Sequence, residues 1–229
     1  MSAEPMEIEV WSDIACPWCW IGKKHLETAL AGFEDEVHVI WRAFELNPQA
    51  PATPSQAVDY AQRLASKYRM SREEAQAFID RMTAAGAEQG LDFRFDRIRP
   101  CNTFSAHRLL SWAKDFGLQE TFGERLFRAY MNEGLDLNDT NILSRLAAEV
   151  GLDAEDAATI LDSGAHGEAV RADQARAGEL GITGVPFFVF ASSVAASGAQ
   201  PPQRLREALI RARDIRAAQQ NPDLAMAET

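Results

Sequence analysis

Ile8-Glu9-Val10-Trp11-Ser12-Asp13-Ile14-Ala15-Cys16-Pro17-Trp18-Cys19-Trp20-Ile21-Gly22 is the stretch on which the fold turns. It opens as a strand, Ile8 to Trp11, and runs on into a helix from Ile21 to Leu30. Between the two lies Cys16-Pro17-Trp18-Cys19. A C-x-x-C at a strand-to-helix junction is the arrangement a dithiol redox site needs. The helix N-terminus directs unpaired N–H groups and a partial positive charge at the first sulfur, which favours a thiolate. A spacing of three places the second sulfur on the same face, within reach of a disulfide. Pro17 suits the first helical turn, where its missing N–H would have had no partner.

Outward from this centre the pattern continues as strand, helix, strand. Residues 6–13 are the first strand, 17–33 an amphipathic helix with Leu26, Leu30 and Phe33 in phase, and Val37 to Trp41 the second strand. Pro51 and Pro54 mark a linker, and residues 53–180 read as helical throughout. Thr53-Pro54-Ser55-Gln56 and Ser71-Arg72-Glu73-Glu74 are capping-box starts, Thr103 caps a further helix, and Asp153 opens another. Past Gly181, Val185 to Phe190 is a strand, Val194 to Ser197 its hairpin partner, and Pro201-Pro202 opens a last helix to about Arg216. The outer pieces resemble a thioredoxin fold. The expected class is therefore α/β: a thioredoxin-like fold with a long all-helical insertion, DsbA-like in plan. Residues 1–52 and 181–220 would make one discontinuous domain, 53–180 the helical insertion, and 221–229 a frayed tail.

Composition narrows the function. With 229 residues, 46% hydrophobic and 25% charged, the chain matches ordinary globular proteins. No apolar run reaches membrane-span length. Met1 to Glu7 has neither the basic n-region nor the apolar h-region of a secretory signal, so the expectation is a cytoplasmic protein without a membrane partner. A net charge of −11 repels phosphate backbones and argues against nucleic acid. Three cysteines, Cys16, Cys19 and Cys101, are too few for a structural disulfide framework; one reactive pair fits better. Structural zinc needs four ligands, and no second C-x-x-C or H-x-x-x-H exists, so no metal is expected. Trp20 stands where attachment of a c-type haem would need histidine.

Gly184-Val185-Pro186 is the second signal. A proline opening a buried strand forfeits a ladder hydrogen bond, and a cis Val185-Pro186 peptide accounts for it. In thioredoxin-like folds this loop lies against the C-x-x-C, and the backbone before the proline pairs with an extended substrate. Trp11 to Gly22, Gly184 to Val189 and Ser197-Gly198-Ala199-Gln200-Pro201 together resemble the FrnE-like branch of the DsbA family. Asn102-Thr103 and Ala106-His107-Arg108-Leu109 fit it too. The resemblance implies a thiol–disulfide oxidoreductase acting on protein or small-molecule thiols and disulfides. It implies no cofactor beyond the redox-active pair, with Cys16 as nucleophile, Cys19 as resolving thiol and Pro186 opposite them. Some relatives carry a second cysteine pair near the C-terminus; no cysteine follows Cys101 here. The typical DsbA pair encloses Pro-His. Here Trp18 brings bulk and no cation, which implies a less oxidising pair.

Around the pair, Pro17, Trp18 and Val185 are candidate substrate contacts. His107 sits on a helix that the family places over the cleft; a packed histidine at the interface is the alternative. Asp13 is either a proton relay or a cap of the turn, and Cys101 reads as a lone packed thiol. A rival reading is a glutathione-dependent enzyme resembling 2-hydroxychromene-2-carboxylate isomerases and kappa-class transferases. Asn47 and Gln200 fall where those enzymes contact the tripeptide, which also makes glutathione a candidate co-substrate. Their serine, however, is replaced here by cysteine with a second thiol in register. A third reading, a holdase cleft in the insertion, has no residue pattern for or against it.

Overall fold

Met6–Ser12 forms β1, a strand buried along almost its whole length. Such a strand needs cover on both faces, although its sequence alternates and carries one buried carboxylate, Glu9. A computed structural model describes residues 4–34, 36–53 and 56–220. Within it β1 pairs in parallel with β2 (Val37–Ala43), Met6 opposite Val37 and Ser12 opposite Ala43. On its other side β1 pairs antiparallel with β3 (Phe187–Phe190), Ile8 opposite Phe190. β4 (Val194–Ser197) closes a hairpin on β3, and the order is β2-β1-β3-β4. Ala191 and Ser192, at φ 46° and 52°, supply the left-handed backbone that a tight hairpin turn requires.

One face of this sheet is covered by α1 (Pro17–Leu30) and α9 (Pro202–Gln220). Ile8, Val10, Phe188 and Phe190 meet Leu26, Ala29, Leu205 and Leu209 there. The opposite face, carrying Trp11 and Val189, is covered by α8 (Gly167–Glu179) through Ala177. The Trp11 indole donates to the Asp173 carbonyl at 3.0 Å, so the buried N–H is satisfied. This three-layer DsbA-like arrangement is the fold class read from the sequence.

The remaining helices are α2 (Tyr60–Tyr68), α3 (Arg72–Glu88), α4 (Phe104–Lys114), α5 (Gln119–Arg128), α6 (Thr140–Glu149) and α7 (Ala154–Ser163). α5 runs on through a π-helical turn, Ala129–Glu133. Their core is continuous with one face of α1: Trp20 stacks on Phe127 at 5.8 Å, and its indole donates to Glu124 at 2.9 Å. α1 thus serves two cores, the sheet with Leu26 and the helical bundle with Trp20.

The bundle departs from the sequence reading in several places. Residues 53–180 are not helical throughout. Between α3 and α4 the chain is extended, with Leu91, Phe93 and Phe95 buried in strand-like alternation. Arg94 there donates its backbone N–H to the Met131 carbonyl at 2.8 Å, and the Phe93 ring fills the space a Cβ at Gly86 would need. Of the capping box expected at Thr53-Pro54-Ser55-Gln56, Pro54 and Ser55 lie outside the described residues. The helix starts later, at Tyr60, where Asp59 accepts from the Gln62 N–H at 3.0 Å. At α4 the Thr103 side chain makes no capping bond; Asn102 Oδ1 accepts from the Phe104 N–H at 2.9 Å instead. The Ser71 capping box and the Asp153 cap are both present. α1 ends at Leu30, short of Phe33, and α9 extends beyond Arg216 to Gln220. The tail at 221–229 is outside the described residues.

β1, β2 and α8 are pinned together by a charge. Glu9, 5% exposed, accepts from Arg42 Nε at 3.0 Å and from Arg176 Nη2 at 2.6 Å. Arg42 also reaches Asp173 at 3.0 Å. Burial alone would push the Glu9 carboxyl up, but hydrogen bonds from Arg176 and Arg42 outweigh it and hold it below the ordinary carboxylate range. A carboxyl held low in the fold adds stability above its unfolded value, about 4.3, and loses that contribution as pH falls through the folded value. Glu9→Gln is therefore expected to lose about 2 kcal/mol at pH 7, since both arginines keep some solvent. Urea denaturation checks this: the gap between wild type and variant should shrink below about pH 4.

Candidate active site

α1 begins against the C-terminal end of β1. Cys16 is its N-cap residue, with φ −103° and ψ 109°, and Pro17 follows in the first turn. The Cys16 N–H donates to the Asp13 carbonyl at 3.0 Å, and the Cys19 N–H donates to the Cys16 carbonyl at 3.0 Å. The Cys16 thiol reaches the Val185 carbonyl at 3.5 Å. The Val185-Pro186 peptide is cis. The proline loop thus faces the pair, as the sequence reading expected.

The two thiols have different surroundings. Cys16 is 4% exposed and opens on a cavity of about 110 Å³. Cys19 is 1% exposed and lies one turn deeper. Burial pushes the Cys19 thiol well up from its ordinary value, and the neighbouring Cys16 thiol adds to this; the Asp13 backbone and the Ser12 hydroxyl offset part of it. Burial also pushes the Cys101 thiol up. Among the described residues no group of histidine, cysteine and carboxylate side chains is arranged to hold a metal ion.

Gly22 explains how the proline loop comes so close. A Cβ at Gly22 would stand 2.9 Å from Pro186 Cγ and 3.3 Å from the Phe188 ring. α1 therefore packs onto the loop through a bare backbone, one turn beyond the cysteines.

Asp13 is a cap and a clamp. It is 1% exposed; Oδ1 accepts from the Ala15 N–H at 3.2 Å and Oδ2 from the Leu46 N–H at 2.7 Å. His107 Nε2 lies 3.6 Å from Asp13 Oδ1 and 3.2 Å from the Phe44 carbonyl. His107 is 4% exposed and lines a separate cavity of about 250 Å³ behind Asp13, away from Cys16. His107 is thus buried against the Phe44 carbonyl and is not among the residues lining the cleft at Cys16.

Pro17, Trp18 and Asn47 all line the cleft at Cys16. Gln200 does not: its side chain donates to the Ser197 carbonyl at 2.8 Å, and its own carbonyl meets His25 Nδ1 at 2.9 Å. It fastens β4 to the middle of α1, so the tripeptide-contact role implied by the isomerase resemblance has no support in its position. Sequence reasoning missed the far wall of the cleft, Tyr60, Arg63 and Lys67 on α2, with Tyr130 and Cys101 at its base. The first three are spaced 3 and 4 apart, a helical signal that was present but hidden by a helix start placed at residue 53.

A model of the DsbA-like thioredoxin domain matches residues 7–210. The chain belongs to the DsbA-like thioredoxin family. Its structure is similar to that of a probable DsbA oxidoreductase from Streptomyces coelicolor, 41% identical, with TM-score 0.85 over 90% of this chain and 89% of that one. An uncharacterised protein of Bacillus subtilis, YwbO, is 29% identical over 82% of this chain and 88% of its own length. The cytosolic disulfide reductase DsbM from Pseudomonas aeruginosa, solved with GSH, shares the fold at 19% identity, TM-score 0.58, over 94% of this chain and 99% of that one.

Within this DsbA-like protein, Gly22→Ala should lower stability by about 1–3 kcal/mol through overpacking against Pro186. That outweighs the gain of roughly 1 kcal/mol that alanine brings to a helix interior, and a thermal or urea midpoint reads the difference. Iodoacetamide at neutral pH should label the native reduced protein at Cys16 alone, because the Cys19 and Cys101 thiols are pushed up from their ordinary value and stay protonated, whereas Cys16 caps a helix N-terminus. Peptide mass mapping locates the label, and unfolding should expose all three sites.

Proposed function

We propose that this protein catalyses dithiol–disulfide exchange, with Cys16 as the attacking and Cys19 as the resolving thiol. The observation that carries the reading is the asymmetry of the pair. Cys16 caps a helix at the cleft beside the proline loop, while Cys19 sits one turn deeper and more fully buried. Cys16 thiolate attacks one sulfur of a substrate disulfide, forming a mixed disulfide and releasing the first substrate thiolate. Cys19 gives up its proton and attacks Cys16, closing the Cys16–Cys19 disulfide and releasing the second thiolate. Two electrons pass from the protein dithiol to the substrate, and two protons end on its two thiols. The reverse sequence oxidises a substrate dithiol.

Pro17, Trp18 and Asn47 would shape the substrate surface, and the Val185 backbone would face the bound sulfur. Burial keeps Cys19 as a thiol until the mixed disulfide forms, so it does not compete as the first nucleophile. The second thiol separates this reading from a glutathione-dependent isomerase, whose serine at this place closes no disulfide. A small thiol such as glutathione is proposed as redox partner; the DsbM structure with GSH is a precedent on this fold.

The test uses a neutral reagent, bis(2-hydroxyethyl) disulfide. Reduced wild-type protein should close the Cys16–Cys19 disulfide and release both halves of the reagent. Cys19→Ala should keep one half on Cys16, and Cys16→Ser should not react. Intact-mass spectrometry reads all three, and a reactive Cys16→Ser protein would overturn the assignment.

A further inference from the structure

The α2 wall of the cleft is cationic, in a protein whose net charge is negative. The chain carries a formal charge of −11, yet the cations lining this cavity are Arg63 and Lys67, both exposed. Neither makes an ion pair with a carboxylate among the described residues, whereas Arg72, at the start of α3, pairs with Asp59 at the start of α2. Lys67 Nζ lies 5.4 Å over the Tyr68 ring and keeps its hydrogen-bonding capacity. The carboxylate in the lining, Asp13, is 1% exposed and has both oxygens bonded to backbone N–H groups, so it answers neither cation. Tyr60, Arg63 and Lys67 follow one another at helical spacing, which presents both cations on the side of α2 that also carries Tyr60. Tyr60 lines the same cavity as Cys16.

We infer that Arg63 and Lys67 are specificity-determining residues that hold a carboxylate of the substrate, and that the substrate class is a small disulfide bearing carboxylates. The inference rests on the dithiol exchange reading and adds to it which disulfide is favoured. Size follows from the site: Cys16 is 4% exposed and opens on a cavity of about 110 Å³, which favours a slender disulfide over a rigid protein surface. Charge follows from the two unpaired cations. In an acidic protein they are the local field that turns repulsion of an anion into capture, and such focusing changes association rates by about 10-fold or more. The redox step is unchanged. Cys16 and Cys19 lose two electrons, and the anionic disulfide becomes two thiols that take up the two protons.

The experiment compares the reduced protein's rate constants toward 3,3′-dithiodipropionate, which is anionic, and bis(2-hydroxyethyl) disulfide, which is neutral, at low ionic strength. After correction for each reagent's rate with free cysteine, the wild-type ratio should favour the anion by about 10-fold and fall with added salt. In Arg63→Gln/Lys67→Gln the ratio should drop to about one, in Arg63→Glu/Lys67→Glu it should invert, and Arg63→Lys should restore most of it. A purely structural role would slow both reagents together and leave the ratio in place, which would overturn the inference. So would a wild-type ratio near one. Equal reaction of a long peptide disulfide flanked by aspartates would overturn the size argument alone. If wild type reacts with neither reagent, the dithiol reading itself fails, and that outcome is distinct from a lost preference.

Discussion

Asp13 has no exposed surface to speak of, and its two carboxylate oxygens are bonded to the N–H groups of Ala15 and Leu46. Those two residues belong to different loops. Ala15 lies in the turn that delivers Cys16 to the tip of α1, and Leu46 in the segment leaving β2. The carbonyl of Asp13 takes the Cys16 N–H, and its backbone also touches the Cys19 thiol. A charge-assisted hydrogen bond is roughly twice as strong as a neutral one, and here two act in a nearly dry place. One side chain therefore sets the height of the cysteine turn relative to the wall of the cleft carrying Asn47. Both oxygens serve as caps of these two loops.

From that fixed turn, the asymmetry of the two thiols follows by geometry. Residue 16 is at the helix tip and residue 19 one turn inward, so one sulfur meets the cleft and the other meets the core. The same turn carries Trp20 into the helical bundle, where it stacks on Phe127 and binds Glu124. Lys23, 5% exposed, adds ion pairs to Glu27, Glu120 and Glu124, joining α1 to α5. The bundle is thereby locked to the redox helix by aromatic stacking and by charge, and the cleft between them has one rigid wall.

The sequence made legible what local rules control. Cys16 and Cys19, Gly184-Val185-Pro186, the order of strands and helices in the outer pieces and the caps at Ser71 and Asp153 all depend on residues within a few positions of each other. What it concealed depends on partners far along the chain. The extended run at Leu91, Phe93 and Phe95 has no neighbouring strand; it is held by packing and by a bond to Met131, so a helical reading of the region passed over it. His107 was placed at the cleft because its helix lies nearby, but the bond to the Phe44 carbonyl turns the ring to the other side of Asp13. Arg63 and Lys67 were overlooked because what sets them apart is that no carboxylate pairs with them among the described residues, and this leaves no pattern in sequence.

The position of the insertion gives a reason for the site being where it is. By number α8 belongs with the helical block, yet its contacts are with the sheet: Asp173 bonds Trp11, Arg42 and the Ala43 N–H, and Arg176 bonds Glu9. It is the crossover helix from β2 to β3, and the extra helices enter the chain just before it. They therefore grow from the end of β2, beside the end of β1, where the two parallel strands deliver their following loops. Ligands of open α/β sheets bind outside such carboxyl ends. Placing the bundle there puts α2 across from the cysteine turn without disturbing a strand, since all four keep their ladder partners. The sheet holds Cys16 in place, and the inserted helices supply the wall it faces, residues 60 to 67 of α2 among them.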